Sequence, residues 1–262
     1  MFRHVACPPP PGVFRQNERM KLTTSTSGSG PRHVGLVHGL GASAATWAPF
    51  VERLAASGRY TVTNLDLRGH GKSPRAQSYS VDDMAADLVE SLPSGLHSIV
   101  GHSLGGAVLY RAVARLAPGR AIYLDPGFAL PLPTSGLAGR LFWMAPLVSL
   151  AFAQLGQARA SAAARAAYSA ETRALLDDAK RQFDARMAVG VFRDVAFHPV
   201  GVEAPAVPST IVLSDQSAAV LPDPLASRLE QLGWQVRRIQ EVRHDMQLED
   251  PDRTFAAIED VL

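Results

Sequence analysis

The sequence predicts an α/β protein: a mostly parallel central sheet with helices on both faces and one helical insertion. Three observations carry that expectation. Short apolar runs alternate with stretches of helical period over residues 33–127, the pattern turns helical and strand-free over residues 128–202, and alternation resumes from Thr210 onward. Strands joined through helices lie parallel, and right-handed crossovers place those helices on both sides of the sheet.

Taken in order, the prolines of residues 8–11 predict an extended lead-in, and residues 14–25 one or two edge strands before a flexible STSGSG turn. Residues 33–37 read as a strand ending at His38-Gly39, residues 46–57 as a helix stopped by Gly58, and residues 60–65 as the next strand. Ser80 stands where an N-cap belongs, with Asp83 in the capping-box position. Val81, Met84, Ala85, Leu88, Val89 and Leu92 then share one helical face, and Pro93 and Gly95 close it. Ile99-Val100 forms a strand into GHSLGG, a helix follows Ser103, and residues 121–124 form a strand into Asp125-Pro126-Gly127. Residues 128–202 are rich in Ala, Arg and Leu, with apolar clusters at residues 141–144 and 147–152, and predict the helical insertion. Beyond it come a strand at residues 210–213, a helix near residues 224–232, a strand at residues 234–239 and a last helix capped by Asp250-Pro251. The organisation is a core in two parts, residues 1–127 and 203–262, with the insertion between them.

Composition narrows the function. With 262 residues, 47% hydrophobic and 19% charged, the chain can bury a full core. A net charge of +2 gives no basic surplus for a phosphate backbone, so no nucleic-acid partner is expected. Cys7 is the only cysteine, which excludes an intrachain disulfide and a Cys-based metal site; no i, i+4 histidine pair and no H-E-x-x-H is present, so neither a metal nor a cofactor is expected. The first residues are too poor in apolar side chains for a secretory core, and no run approaches the roughly 18–20 apolar residues of a membrane span, which makes a cytoplasmic location the expectation. Gly69-His70-Gly71-Lys72-Ser73 resembles the end of a phosphate loop, but Asp66 stands where its first glycine belongs, and a carboxylate there repels phosphate.

The chemistry gathers in separate segments. A serine hydroxyl becomes a nucleophile at neutral pH only with a base, a group that orients the base and donors for the oxyanion. Gly101, Ser103 and Gly105 give G-x-S-x-G between a strand and a helix, where small residues permit a sharp turn that projects Ser103. His38-Gly39-Leu40-Gly41 ends the first core strand, so the backbone N–H groups of Leu40 and Leu104 can together face an oxyanion. His244 follows the last strand and comes after the nucleophile in chain order, as this architecture requires of the base.

Together VHGLGAS, LDLRGHGKS, GHSLGG and RHDMQLEDP resemble the α/β-hydrolase superfamily over nearly the whole chain. The resemblance implies the α/β-hydrolase fold, Ser103 as nucleophile, His244 as general base, the amides of Leu40 and Leu104 as oxyanion donors, and residues 128–202 as a cap over the site. Serine at 103 speaks against the dehalogenase and epoxide-hydrolase branches, which carry aspartate there. The family's usual Gly-x-x-Asp after the strand at residues 210–213 reads here Ser214-Asp215-Gln216-Ser217, with serine in the acid's place. Asp125, at the end of the strand after the nucleophile helix, is the favoured acid, and Asp215 the alternative.

Candidate pocket residues are His38, Gly39, His102, Phe128 and Trp143, with His38 and His102 also readable as structural histidines. His198 reads as a hinge or surface residue. Trp143 with Phe142, Met144 and Leu147 reads most simply as a contact between insertion and core, and otherwise as substrate lining. Either suits a small-molecule substrate with an apolar portion. The expected reaction is hydrolysis of a carboxylic ester, thioester or lactone through an acyl-enzyme on Ser103. The alternatives are C–C bond hydrolysis, perhydrolysis, lyase chemistry or acyl transfer on the same fold, or a ligand receptor with little turnover.

Overall fold

The seven strands lie in the order β1-β3-β2-β4-β5-β6-β7. They are β1 Thr24–Ser27, β2 Arg32–Val37, β3 Tyr60–Leu65, β4 Ser98–His102, β5 Ala121–Leu124, β6 Ser209–Ser214 and β7 Gln235–Ile239. This computed structural model describes residues 20–129, 132–146, 148–149, 162–163, 165–216 and 221–262. The proline lead-in, Cys7, the 147–152 cluster apart from Val148 and Ser149, and Ser217 lie outside the described residues. Every pairing is parallel except that of β1, which runs antiparallel to β3.

β1 corrects the expected turn, because Thr24–Ser27 takes up three residues of the STSGSG stretch. Its side chains are exposed, and its register of Thr24 against Leu65 through Ser27 against Val62 gives an otherwise open sheet edge a partner. A helix begins later than expected too. A 3-10 turn covers Ala44–Trp47, and α1 is Ala48–Ala56 with proline in its first turn.

The helices α2 (Val81–Ser91), α3 (Leu104–Leu116) and α7 (Asp223–Gln231) cover one face of the sheet; α1 and α9 (Pro251–Ile258) cover the other. The faces follow from the sequence. Ser80 accepts from the amide of Asp83 at 3.1 Å and starts α2, whose Val81, Met84, Ala85 and Leu88 are buried. On the opposite side Phe50 and Leu54 of α1 meet Phe255 and Ile258 of α9, each burial contributing about 1.5–3 kcal/mol.

Between β5 and β6 the described residues form helices α4 (Gly136–Met144), α5 (Ala170–Arg181) and α6 (Arg186–Phe197), with no strand among them. A short helix α8 (Met246–Glu249) links β7 to α9. Among the described residues no helix is long and apolar enough to cross a membrane.

Candidate active site

The site is assembled where the parallel strands end. Ser103 sits between β4 and α3 with φ 52° and ψ −116°, a strained conformation for a residue with a side chain. Its amide donates to the Leu124 carbonyl at 2.9 Å, and its carbonyl accepts from the Gly127 amide at 2.9 Å, so the turn is pinned to the end of β5. The flanking glycines are obligatory for the same reason. A Cβ on Gly101 would stand 2.6 Å from the Gly105 carbonyl oxygen, and one on Gly105 would stand 2.3 Å from the Val37 carbonyl oxygen. The first turn of α3 therefore presses directly on β4 and β2, leaving the half-buried Ser103 at the apex.

The turn after β2 is held by two neutral histidines. His38 receives the Leu67 amide on Nε2 at 3.0 Å, so the proton on its Nδ1 is donated to the Gly39 carbonyl at 2.8 Å. His70 likewise receives the Gly41 amide on Nε2 at 3.0 Å and donates from Nδ1 to the Arg68 carbonyl at 3.2 Å. Burial pushes the pKa of both rings down, and the ring of His38 adds repulsion at His70. A Cβ on Gly39 would lie 3.0 Å from Ser103 Cβ, which fixes the Leu40 turn close beside the Ser103 turn.

His244, between β7 and α8, meets Asp125 from the end of β5: its Nδ1 donates to Asp125 Oδ2 at 3.2 Å. Since a carboxylate only accepts, the proton is on Nδ1, and Nε2 carries the free lone pair. Asp125 takes φ 39°, which aspartate tolerates. It is fixed by two bonds from Ser214, the amide to Oδ1 at 2.8 Å and the hydroxyl to Oδ2 at 2.5 Å. Burial opposes the ionised form of Asp125, but the bonds from His244 and Ser214 outweigh it and lower its pKa. Burial opposes the charged form of His244 as well, and the Asp125 bond with the charges of Asp245 and Asp125 raises its pKa above the ordinary imidazole value.

The structure thus brings Ser103, Leu40, Leu104, His244 and Asp125 to one edge of the sheet, and Asp215 is exposed on the loop after β6. The proposed pocket lining divides. Gly39 and His102 touch the elbow, and His38 is 1% exposed behind it. Phe128 is 1% exposed and packs among Tyr110, Tyr123 and Trp234, so it belongs to the core. Trp143 donates to the Pro133 carbonyl at 2.8 Å and packs on Phe142 and Phe197, all within the insertion, whereas Leu141 and Met144 are exposed. Among the described residues these contacts of Trp143 lie inside the insertion; Leu147 lies outside the described residues. His198 is exposed and bonded to Asp194 at 3.0 Å.

Two contributors went unseen in the sequence. His70 supports the Leu40 turn through Gly41, and Ser214 grips Asp125; neither has a local signature, because each depends on loops or strands that meet only in the fold.

The model of the family described as alpha/beta hydrolase matches residues 36–258. The chain is 43% identical over 100 residues to pimeloyl-[acyl-carrier protein] methyl ester esterase of Methylococcus capsulatus, covering 38% of this chain and 37% of that protein. To the protein of the same name from Aliivibrio salmonicida it is 38% identical over 107 residues, covering 39% of each. The match therefore spans well under half the length of either relative. Among solved structures, a thermophilic esterase from Thermogutta terrifontis superimposes with a TM-score of 0.68 at 19% identity, covering 92% of both chains, a likeness of fold.

Proposed function

The chain belongs to the alpha/beta hydrolase family, and from that premise we propose that it is a serine hydrolase acting on a small-molecule carboxylic ester. The observation that carries the proposal is the Nδ1–H bond from His244 to Asp125, which leaves Nε2 as the base on the edge that carries Ser103. In this reading His244 Nε2 takes the Ser103 hydroxyl proton as Oγ adds to the ester carbonyl. The amides of Leu40 and Leu104 receive the oxyanion, and the proton passes to the departing alcohol. Water, deprotonated by the same Nε2, then attacks the acyl-enzyme; the acid leaves, and the serine recovers its proton.

Asp125 holds the ring in this tautomer and stabilises the imidazolium. A carboxylate bonded to His244 favours turnover over a ligand receptor, which has no need of an oriented base. Two relatives bear the name of a methyl ester esterase, which favours an ester over the thioester and lactone classes. Residues 128–202 act as a cap in this reading. Contacts from the insertion to core loops support it: the Asp184 amide to the Gly69 carbonyl at 2.8 Å, Tyr79 hydroxyl to Asp184 Oδ2 at 2.7 Å and Tyr168 hydroxyl to Asp245 Oδ2 at 3.4 Å.

The test is steady-state turnover of a panel of methyl and p-nitrophenyl esters by the unmutated chain and by Ser103→Ala. Hydrolysis by the first and a loss of at least about 10⁴-fold in kcat in the second is expected. Equal turnover by both would remove Ser103 from the mechanism.

A further inference from the structure

The base, His244, is tied to Asp125 through a single ring nitrogen, and a ring held at one point can still pivot about that bond. Its distance from Ser103 therefore depends on what fixes the backbone of residue 244. That backbone is gripped by the residue immediately before the nucleophile. The last residue of β4, His102, directs its Nε2 to the His244 carbonyl at 2.9 Å, across a sequence separation of 142 residues. A carbonyl only accepts, so the proton of the neutral ring is on Nε2, and the two imidazole rings lie 4.7 Å apart, centre to centre.

We propose that His102 is a positioning residue, which fixes the base-bearing loop at a set distance from the nucleophile by joining the His244 carbonyl to the residue preceding Ser103. The proposal rests on the serine-hydrolase reading above.

What surrounds the ring argues that it is there for this bond. His102 is 3% exposed, and among the described residues its Nδ1 is buried without a hydrogen-bond partner. An unpaired buried nitrogen costs stability that leucine or methionine in the same space would avoid. The other edge of the ring stands against the turn before Leu40, where a Cβ on Gly39 would come within 3.0 Å of both Nδ1 and Ser103 Cβ. The ring is therefore wedged between the Gly39 turn on one side and the His244 backbone on the other, with the elbow next to it in the chain. Asp245 Oδ1 lies 4.0 Å from Nε2. Burial, then the charge of His244, pushes the pKa of His102 down to about 4, so the ring stays neutral, with one proton to donate, wherever His244 can act as a base.

The test compares the unmutated chain with His102→Leu, His102→Gln and His102→Asn, using p-nitrophenyl butyrate turnover, the rate of fluorophosphonate labelling at Ser103 and thermal melting. Leucine removes the donor and the orphan nitrogen together. The glutamine amide nitrogen falls near the place of Nε2, and that of asparagine stops one bond short. His102→Leu should melt no lower than the unmutated chain, with KM within about twofold and with kcat and labelling rate lower by about 10²-fold, the size of effect a small misplacement of a catalytic group produces. His102→Gln should recover most of that loss, and His102→Asn should not. Full kcat in His102→Leu would overturn the proposal, as would equal activities of the Gln and Asn variants; should His102→Leu fail to fold, the Gln and Asn pair decides. An unmutated chain that neither hydrolyses the ester nor labels at Ser103 sinks the serine-hydrolase reading and this role with it, whereas a failure confined to the variants' ranking leaves that reading intact.

Discussion

Asp125 and Asp215 separate at the level of single atoms. Asp125 receives His244 Nδ1 and both donors of Ser214, whereas Asp215 is exposed. Replacing the acid by asparagine removes the charge and lets the ring take the wrong tautomer, so Asp125→Asn should lower kcat by about 10⁴-fold and Asp215→Asn should leave it near the unmutated value. The pH dependence follows in sign. In the proposed mechanism His244 must be neutral to accept the serine proton, and its pKa is raised, with Asp125 among the causes. The activity should therefore rise through an acid limb centred above the ordinary imidazole value of about 6.5. In Asp125→Asn the residual activity should show that limb at lower pH. A pH profile of kcat/KM for the unmutated chain and for Asp125→Asn checks this, and a limb that stays in place in Asp125→Asn would remove Asp125 from contact with the base. The sequence favoured Asp125 by its place at a strand end. It was silent on Ser214, which reaches Asp125 only because β5 and β6 are neighbours in the sheet.

Elements were legible in proportion to how local their causes are. The α2 helix follows from a capping serine and an apolar face, and the elbow from glycines whose spacing admits no Cβ. β1 runs two residues past the expected edge strand into the expected turn, because Thr26 and Ser27 carry no apolar alternation and are strand only through their pairing with β3. Phe128 packs in the core for a similar reason, since composition marks a residue as apolar without saying which layer receives it. The elbow makes the sharper prediction at this scale. A methyl group at Gly105 would meet the backbone of Val37 at 2.3 Å, where no flexible side chain can yield. Gly105→Ala should thus destabilise the fold by at least about 1–3 kcal/mol, as overpacking does, and displace Ser103. Thermal melting with parallel kcat measurement checks both, and a variant with unchanged melting and turnover would show that α3 does not press on β2.

The whole molecule explains why residues far apart in sequence meet at one place. Parallel strands all end on one edge of the sheet, so loops from β2, β4, β5 and β7 supply Leu40, Ser103, Asp125 and His244 to one place. The insertion between β5 and β6 reaches that edge through Asp184 and Tyr168. An acyl-enzyme on Ser103 formed with the help of His244 and Asp125 is open to one decisive experiment: reaction of the chain with a fluorophosphonate, with the adduct located by peptide mass mapping. One adduct per chain is expected, on the peptide containing Ser103, formed slowly in Asp125→Asn and absent in Ser103→Ala. An adduct on another residue, or one that persists in Ser103→Ala, would contradict it.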